Sequence, residues 1–220
     1  MPVNRSNAIA ALISLSLVAI LLIACQSAYY AMWEKMGKEK RHLLRDQVEK
    51  SRGDQENASE AFKDALTRLK EMYGFQGGDL EKMYTRLSDD YDNCSQRADA
   101  IDVRVDKIQR IARDLFAEWR QEIEQIHNPT FRTQSIQKLK ATQQRFASME
   151  SAIITARKRM TPVLSSLKDY VLFLKHNLNA QAIGSLRGEA ASIETDVGRL
   201  VRDIQQSIQE ADAFLNEMEK

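Results

Sequence analysis

Glu-x-x-His, a spacing that sets a carboxylate and an imidazole on one helix face, occurs twice in this chain, at Glu39 to His42 and at Glu124 to His127. Two such motifs on adjacent helices, with a glutamate from each of two others, hold paired iron in helical bundles. Folding the chain back about residue 76 puts His42 opposite residue 110, some 17 residues from His127. At 1.5 Å per residue the motifs stand roughly 25 Å apart, too far to share a metal, so no metal or other cofactor is expected. Asp89, Asp90, Asp92 and Asn93 lack the turn glycine of a calcium loop and read as a solvated acidic face. Arg157-Lys158-Arg159 reads as a solvated basic one. Cys94 lies on an apolar repeat and reads as a small buried hydrophobe, with an intermolecular disulfide as the alternative. The chain has no Gly-rich phosphate loop, no His-Glu-x-x-His and no nucleophile elbow, so it does not read as an enzyme.

The other cysteine sits in a different setting. Residues 1–24 carry a single charge, Arg5, followed by an apolar and small run from Ala8 to Ala24 that ends in Leu22-Ile23-Ala24-Cys25. A basic start followed by an apolar stretch of about 17 residues, short of the roughly 20 needed to span a bilayer, is the pattern of a secretion signal. The last four residues resemble the lipobox. That resemblance implies a diacylglycerol on the Cys25 sulfur and cleavage before Cys25, so residues 1–24 are read as a lipoprotein signal peptide and 25–220 as the mature part. Gln26 follows the cysteine in place of aspartate, which by resemblance to Gram-negative sorting implies the outer membrane, with the inner membrane as the alternative. Beyond residue 24 there are 31 basic and 31 acidic residues, so a basic footprint for nucleic acid is missing.

Long helices must position whatever this mature part presents. Breakers cluster at Tyr73-Gly-Phe-Gln-Gly-Gly-Asp79, at His127-Asn128-Pro129 and, more softly, at His176-Asn177-Leu178-Asn179. Glycine accepts the left-handed geometry that ends helices, and Asn before Pro supplies an N-cap and a preset first turn. Helices are therefore expected at roughly 30–73, 79–126, 129–177 and 181–219. Apolar positions recur at alternating steps of three and four, the spacing of a helix that packs along one seam. In the second helix they are Tyr84, Leu87, Tyr91, Cys94, Ala98, Ile101, Val105, Ile108, Ala112, Leu115 and Trp119. The third runs from Leu139 through Thr142, Phe146, Met149, Ile153, Ala156, Met160, Val163, Leu167 and Tyr170 to Leu174, its phase unchanged across Pro162, which reads as a kink. The fourth gives Ile183, Leu186, Ala190, Ile193, Val197, Leu200 and Ile204. In the first, Ala58, Phe62, Ala65, Leu69 and Met72 keep the pattern, whereas Ser51 to Asn57 reads as a polar interruption and the softest part.

These readings give an all-α fold: an elongated antiparallel four-helix bundle or coiled coil behind a lipoprotein signal peptide. Charge orders the helices. Residues 130–180 hold nine basic and two acidic side chains, a net of +7, while 79–126 and 181–220 each net −4, which favours a basic helix between two acidic ones. Near the anchor Tyr29, Tyr30 and Trp33 with Lys35 and Lys38 suit lipid headgroups. At the far end Phe75 and Gln76, with Lys175, His176, Asn177 and Asn179, spend distinctive residues on turns and read as a partner-binding tip.

The lipobox, Tyr29-Tyr30-Ala31-Met32-Trp33-Glu34-Lys35-Met36-Gly37 and the two tip segments are similar to an uncharacterised family of Gram-negative helical lipoproteins, a domain of unknown function. The resemblance covers nearly all of the mature chain and implies no activity. The function expected is that of a scaffold held in the cell envelope by the Cys25 lipid, facing the periplasm and meeting an envelope protein. The alternative is a sensory bundle that shifts when it binds an envelope signal. Cys25→Ala is expected to abolish acylation and signal removal, so that precursor accumulates in the inner membrane. Normal mature size and normal membrane fractionation of that variant would overturn the anchor.

Overall fold

Each long helix begins or stops where the backbone loses a partner. The computed structural model describes residues 40–73 and 80–219, and among these the chain forms four helices: α1 Lys40–Tyr73, α2 Leu80–Glu124, α3 Pro129–His176 and α4 Ala180–Glu219. Residues 1–39, with the expected signal and with Cys25, Tyr29, Tyr30, Trp33, Lys35 and Lys38, lie outside the described residues, as do Phe75 and Gln76. At 1.5 Å per residue, the 45 residues of α2 and 48 of α3 extend about 68 and 72 Å. The α2 end tightens into i→i+3 bonds, Gln125 N–H to Glu122 O and Ile126 N–H to Ile123 O, which stops the helix two residues before 126. The Asn128 side-chain oxygen Oδ1 then accepts from Thr130 N and Phe131 N at 2.9 and 3.2 Å, and Pro129 fills the first helical position.

The chain divides into two units, residues 1–43 and 44–220. Of the first, Lys40–Leu43 is described; it is helical, and Leu43 is buried. In the second unit the seams decide what packs. Along α3 the buried positions are Leu139, Thr142, Phe146, Met149, Ile153, Ala156, Met160, Val163, Leu167, Val171 and Leu174. All but one match the sequence pattern. The exception is Tyr170, half-buried, whose place Val171 takes through two successive steps of four. The same happens in α2, where Ile108, Ala112 and Phe116 step by four and leave Leu115 and Trp119 half-buried. A strict 3.5-residue repeat drifts about 20° per heptad on a 3.6-residue helix, and a doubled four restores the face.

In α1 the polar stretch proves to be part of the seam. Leu44, Val48, Ser51, Gln55, Ala58, Phe62, Ala65, Leu69 and Met72 are all buried, at unbroken steps of four and three. The helix runs through Ser51 to Asn57 because small or flexible polar side chains fill seam positions there. Pro162 lies within α3 on its exposed side, where its missing N–H costs the helix one backbone bond.

Packing and cross-helix bonds link the helices in opposed directions. Helix α3 packs against both α2 and α4. Gln109 donates to Glu150 at 2.9 Å and Trp119 Nε1 to Ser135 at 3.1 Å, so numbers rise along α3 as they fall along α2. Lys138 pairs with Glu217 at 2.8 Å and Arg159 with Asp203, the same inversion between α3 and α4. Helix α1 reaches α2 through Arg104 to Asp54 and Arg68 to Asp90, and α4 through Arg52 to Asp212 and Lys70 to Glu194. Phe116, Phe146 and Phe214 meet edge to face at 5.6 and 5.7 Å between centroids, joining α2, α3 and α4 in one layer.

Leu200, fully buried on α4, should lose about 2–5 kcal/mol of unfolding free energy on truncation to Ala. Pro162→Ala should leave stability level or raise it by up to about 3 kcal/mol, because proline inside a helix is costly and this one packs against nothing. Urea unfolding of both variants checks the pair. A destabilised Pro162→Ala protein would mean that the seam needs the proline.

Candidate functional site

Five apolar residues in a row, Tyr170-Val171-Leu172-Phe173-Leu174, end α3. A helix with one seam can turn only part of such a run inward. Val171 and Leu174 are buried, Tyr170 is half-buried, and Leu172 and Phe173 remain 48% and 38% exposed. The turn adds Leu178 at 38%. Together they form an apolar surface at the end of α3, bordered by exposed Lys168, Lys175 and His176. Seam reasoning alone passes over Leu172 and Phe173, although the unbroken run carried the signal.

Of the tip residues expected from sequence, the structure places Lys175, His176, Asn177 and Asn179 on this one turn. Asn177 is also structural: its side-chain nitrogen donates to Phe173 O at 2.9 Å, and its backbone N–H to Leu174 O at 3.1 Å, closing the helix. Asn179 N–H in turn donates to Asn177 O at 2.9 Å, and Asn179 O accepts from Ile183 N at 3.3 Å. The cap fixes the direction in which α4 leaves, so Leu178 and the two basic residues are held on a defined bend.

Beneath this surface the helix ends are rich in tyrosine. The Tyr73 hydroxyl, at the end of α1, is buried with no hydrogen-bond partner among the described residues, and burial, then Tyr170, raises its pKa. Tyr170 is raised as well, by burial first and then by the carboxylates of Glu189, Asp169 and Asp196.

Elsewhere the candidate groups turn out to be structural clasps or buried filler. Arg157 pairs with Asp102 on α2 at 2.6 Å and Arg159 with Asp203 on α4, so two of the three residues read as a solvated basic face reach sideways in opposite directions. Asp90 leaves the acidic face to meet Arg68 at 3.2 Å, while Asp89, Asp92 and Asn93 stay exposed. A groove of about 430 Å³ between α3 and α4 is walled by Ala147, Ser148, Ser151, Thr155, Asp203 and Glu210. Another of about 400 Å³ between α2 and α3 is crossed by the Arg157–Asp102 pair. Among the described residues no three His, Cys, Asp or Glu side chains converge to hold a metal ion, and no helix is long and apolar enough to cross a membrane.

A family model, described as a protein of unknown function (DUF2959), matches residues 29–218. No curated protein and no solved structure matches the chain.

Cys94 is fully buried, and its thiol is pushed from the ordinary 9.0 up to about 12, by burial first and then by Asp90 and Asp64. The folded protein therefore keeps a proton that the unfolded chain releases, so this contribution is whole below pH 9 and is lost as pH rises toward about 12. A thiol-reactive disulfide reagent at neutral pH should label Cys94 only after denaturation. Rapid labelling of the folded protein would show that α1 and α2 part readily at this level.

Proposed function

We propose that this chain, which belongs to the DUF2959 family of proteins of unknown function, is a lipid-tethered scaffold of the cell envelope. In this reading residues 1–24 are removed, Cys25 carries the lipid, and the rest faces the periplasm, with the outer membrane as the anchoring bilayer and the inner membrane as the alternative. The four helices close into one elongated antiparallel four-helix bundle. Links from α1 to α2 and α4, and from α3 to the same two helices, support that ring. The protein catalyses no reaction, and its work is to hold a binding surface at a set distance from its tether.

The observation that carries this reading is the apolar surface of Leu172, Phe173 and Leu178 at the α3–α4 turn. Within the second unit α1 runs from Leu44 to Tyr73, about 44 Å at 1.5 Å per residue. The Lys70–Glu194 pair sets the end of α1 beside the first half of α4 and Arg52 meets Asp212 near the far end of α4, so the α3–α4 turn and Leu44 lie at opposite ends of these helices. An apolar patch rimmed by Lys168, Lys175 and His176 suits an envelope protein that offers an apolar anchor beside carboxylates.

A second reading, a sensory bundle that changes shape on binding a signal, draws on the buried polar residues of α1, Ser51 and Gln55. The two readings place function in different parts of the molecule. A photoreactive side chain at Leu178 is expected to capture one envelope protein in living cells; Asn177 suits the probe less well because its amide closes α3. Leu172→Ser with Phe173→Ser should abolish that capture while helicity is unchanged. Should the double variant keep both capture and cellular phenotype, with Pro162→Ala or Gly53→Ala losing the phenotype, the sensory reading replaces the scaffold.

A further inference from the structure

The two halves of α1 are held by different forces. From Ala58 onward its inward side chains, Ser59 apart, are Ala58, Ala61, Phe62, Ala65, Leu69 and Met72, all buried. Between residues 44 and 59 the apolar members before Ala58 are Leu44 and Val48, and every fourth residue beside them is polar: Gln47, Ser51, Gln55 and Ser59 are each at most 6% exposed. Burial of such groups is favourable only when they find partners. Here two of the four meet on their own helix, Gln55 Nε2 donating to Ser51 O and Oγ at 3.2 and 3.4 Å. Gln55 Oε1 and, on α4, Ser207 Oγ are buried without a hydrogen bond, as is Arg52 Nε, which lies 3.9 Å from Glu56 Oε1. Three of the four such atoms among the described residues thus fall on this half of α1 or on its α4 neighbour. Gly53 adds a third weakness. A methyl group built there would meet no atom within 4 Å, so packing does not require the glycine and the helix bears its flexibility.

Charged bonds add to the hold of Leu44 and Val48 on this half. Arg104 on α2 reaches Asp54 at 2.9 Å through Nε and Gln47 Oε1 at 2.9 Å through Nη1, spanning two turns of α1. From the other side Arg52 meets Asp212 on α4 at 3.0 Å. The helices facing this stretch keep apolar seams, with Ile101 and Val105 on α2 and Ile204 and Ala211 on α4.

We propose that residues 44–59 of α1 are a releasable arm, held by the Arg104 and Arg52 clasps and hinged on the apolar half of α1, which stays docked when the arm opens. Opening uncovers the apolar seams of α2 and α4 at this level. The arm is controlled by whatever weakens the clasps, ionic strength first, since ion pairs near the surface are screened by salt while apolar burial is not. The inference stands on packing alone and holds whether or not Cys25 is lipidated.

Hydrogen exchange read by mass spectrometry on the full chain in detergent micelles tests it. Amides of 48–59 should exchange about tenfold faster than those of 62–72 in about 0.1 M salt, and faster still in about 1 M, where the screening length falls from about 10 Å to about 3 Å. Arg104→Gln should speed exchange of 48–59 by about tenfold and leave α3 unchanged, as loss of a charged hydrogen bond implies. Gly53→Ala, which meets no neighbour, and Gln55→Leu with Ser207→Ala should slow exchange of the same segment. Uniform exchange along α1 would overturn the proposal. So would acceleration of all four helices together by Arg104→Gln, or exchange indifferent to both salt and Gly53→Ala.

Discussion

An α-helix turns once in 3.6 residues, and a straight run of it cannot keep one face toward a neighbour for 45 residues on a repeat of 3.5. Everything else in this chain follows from how that mismatch is absorbed. Where the repeat holds, as from Leu139 to Leu167, the inward residues are apolar except Thr142 and the core is continuous. Where the face has drifted, a doubled step of four resets it, at Ile108-Ala112-Phe116 in α2 and at Val163-Leu167-Val171 in α3. The first reset brings Phe116 against Phe146, from which the aromatic layer continues to Phe214. The second leaves Leu172 and Phe173 facing out. A core layer and a binding surface are therefore two results of the same correction.

The helices and their seams were legible because periodicity is local and redundant. Nearly every inward residue of α3 can be read from spacing alone, and the Asn128-Pro129 start of that helix from cap chemistry. Leu115 and Tyr170 mislead because phase is cumulative. A drift of 20° per heptad is invisible over one or two turns and decisive over six. Ser51 and Gln55 mislead for another reason: polarity reads as an interruption, yet a seam position is defined by geometry and can be filled by any side chain that fits.

Side-chain roles were less legible than the helices. Nothing in the triplet Arg157-Lys158-Arg159 says that its first and third members reach Asp102 on α2 and Asp203 on α4, since that depends on which helices flank α3 and at what height. The +7 of that segment did point to acidic neighbours on both sides, and the pairs fall there. Asn177 shows the converse: distinctive residues at a turn suggest recognition, yet its amide is engaged in closing the helix, and the apolar residues beside it are the ones left facing solvent.

The cap at Asn128 also orders assembly. Trp119 and Ser135, bonded across the α2–α3 turn, are 16 residues apart in the chain, whereas Arg52 and its partner Asp212 are separated by 160. Closing a short loop costs less entropy than closing a long one, so α2 and α3 can find each other while α1 still waits for a helix at the other end of the chain. Of the four described helices, the first to be synthesised is thus the last to find all of its neighbours. Until then its Gln47, Ser51, Gln55 and Ser59 keep it hydrated and leave it less sticky than an apolar strip of equal length, a property that matters to a chain obliged to linger half-assembled.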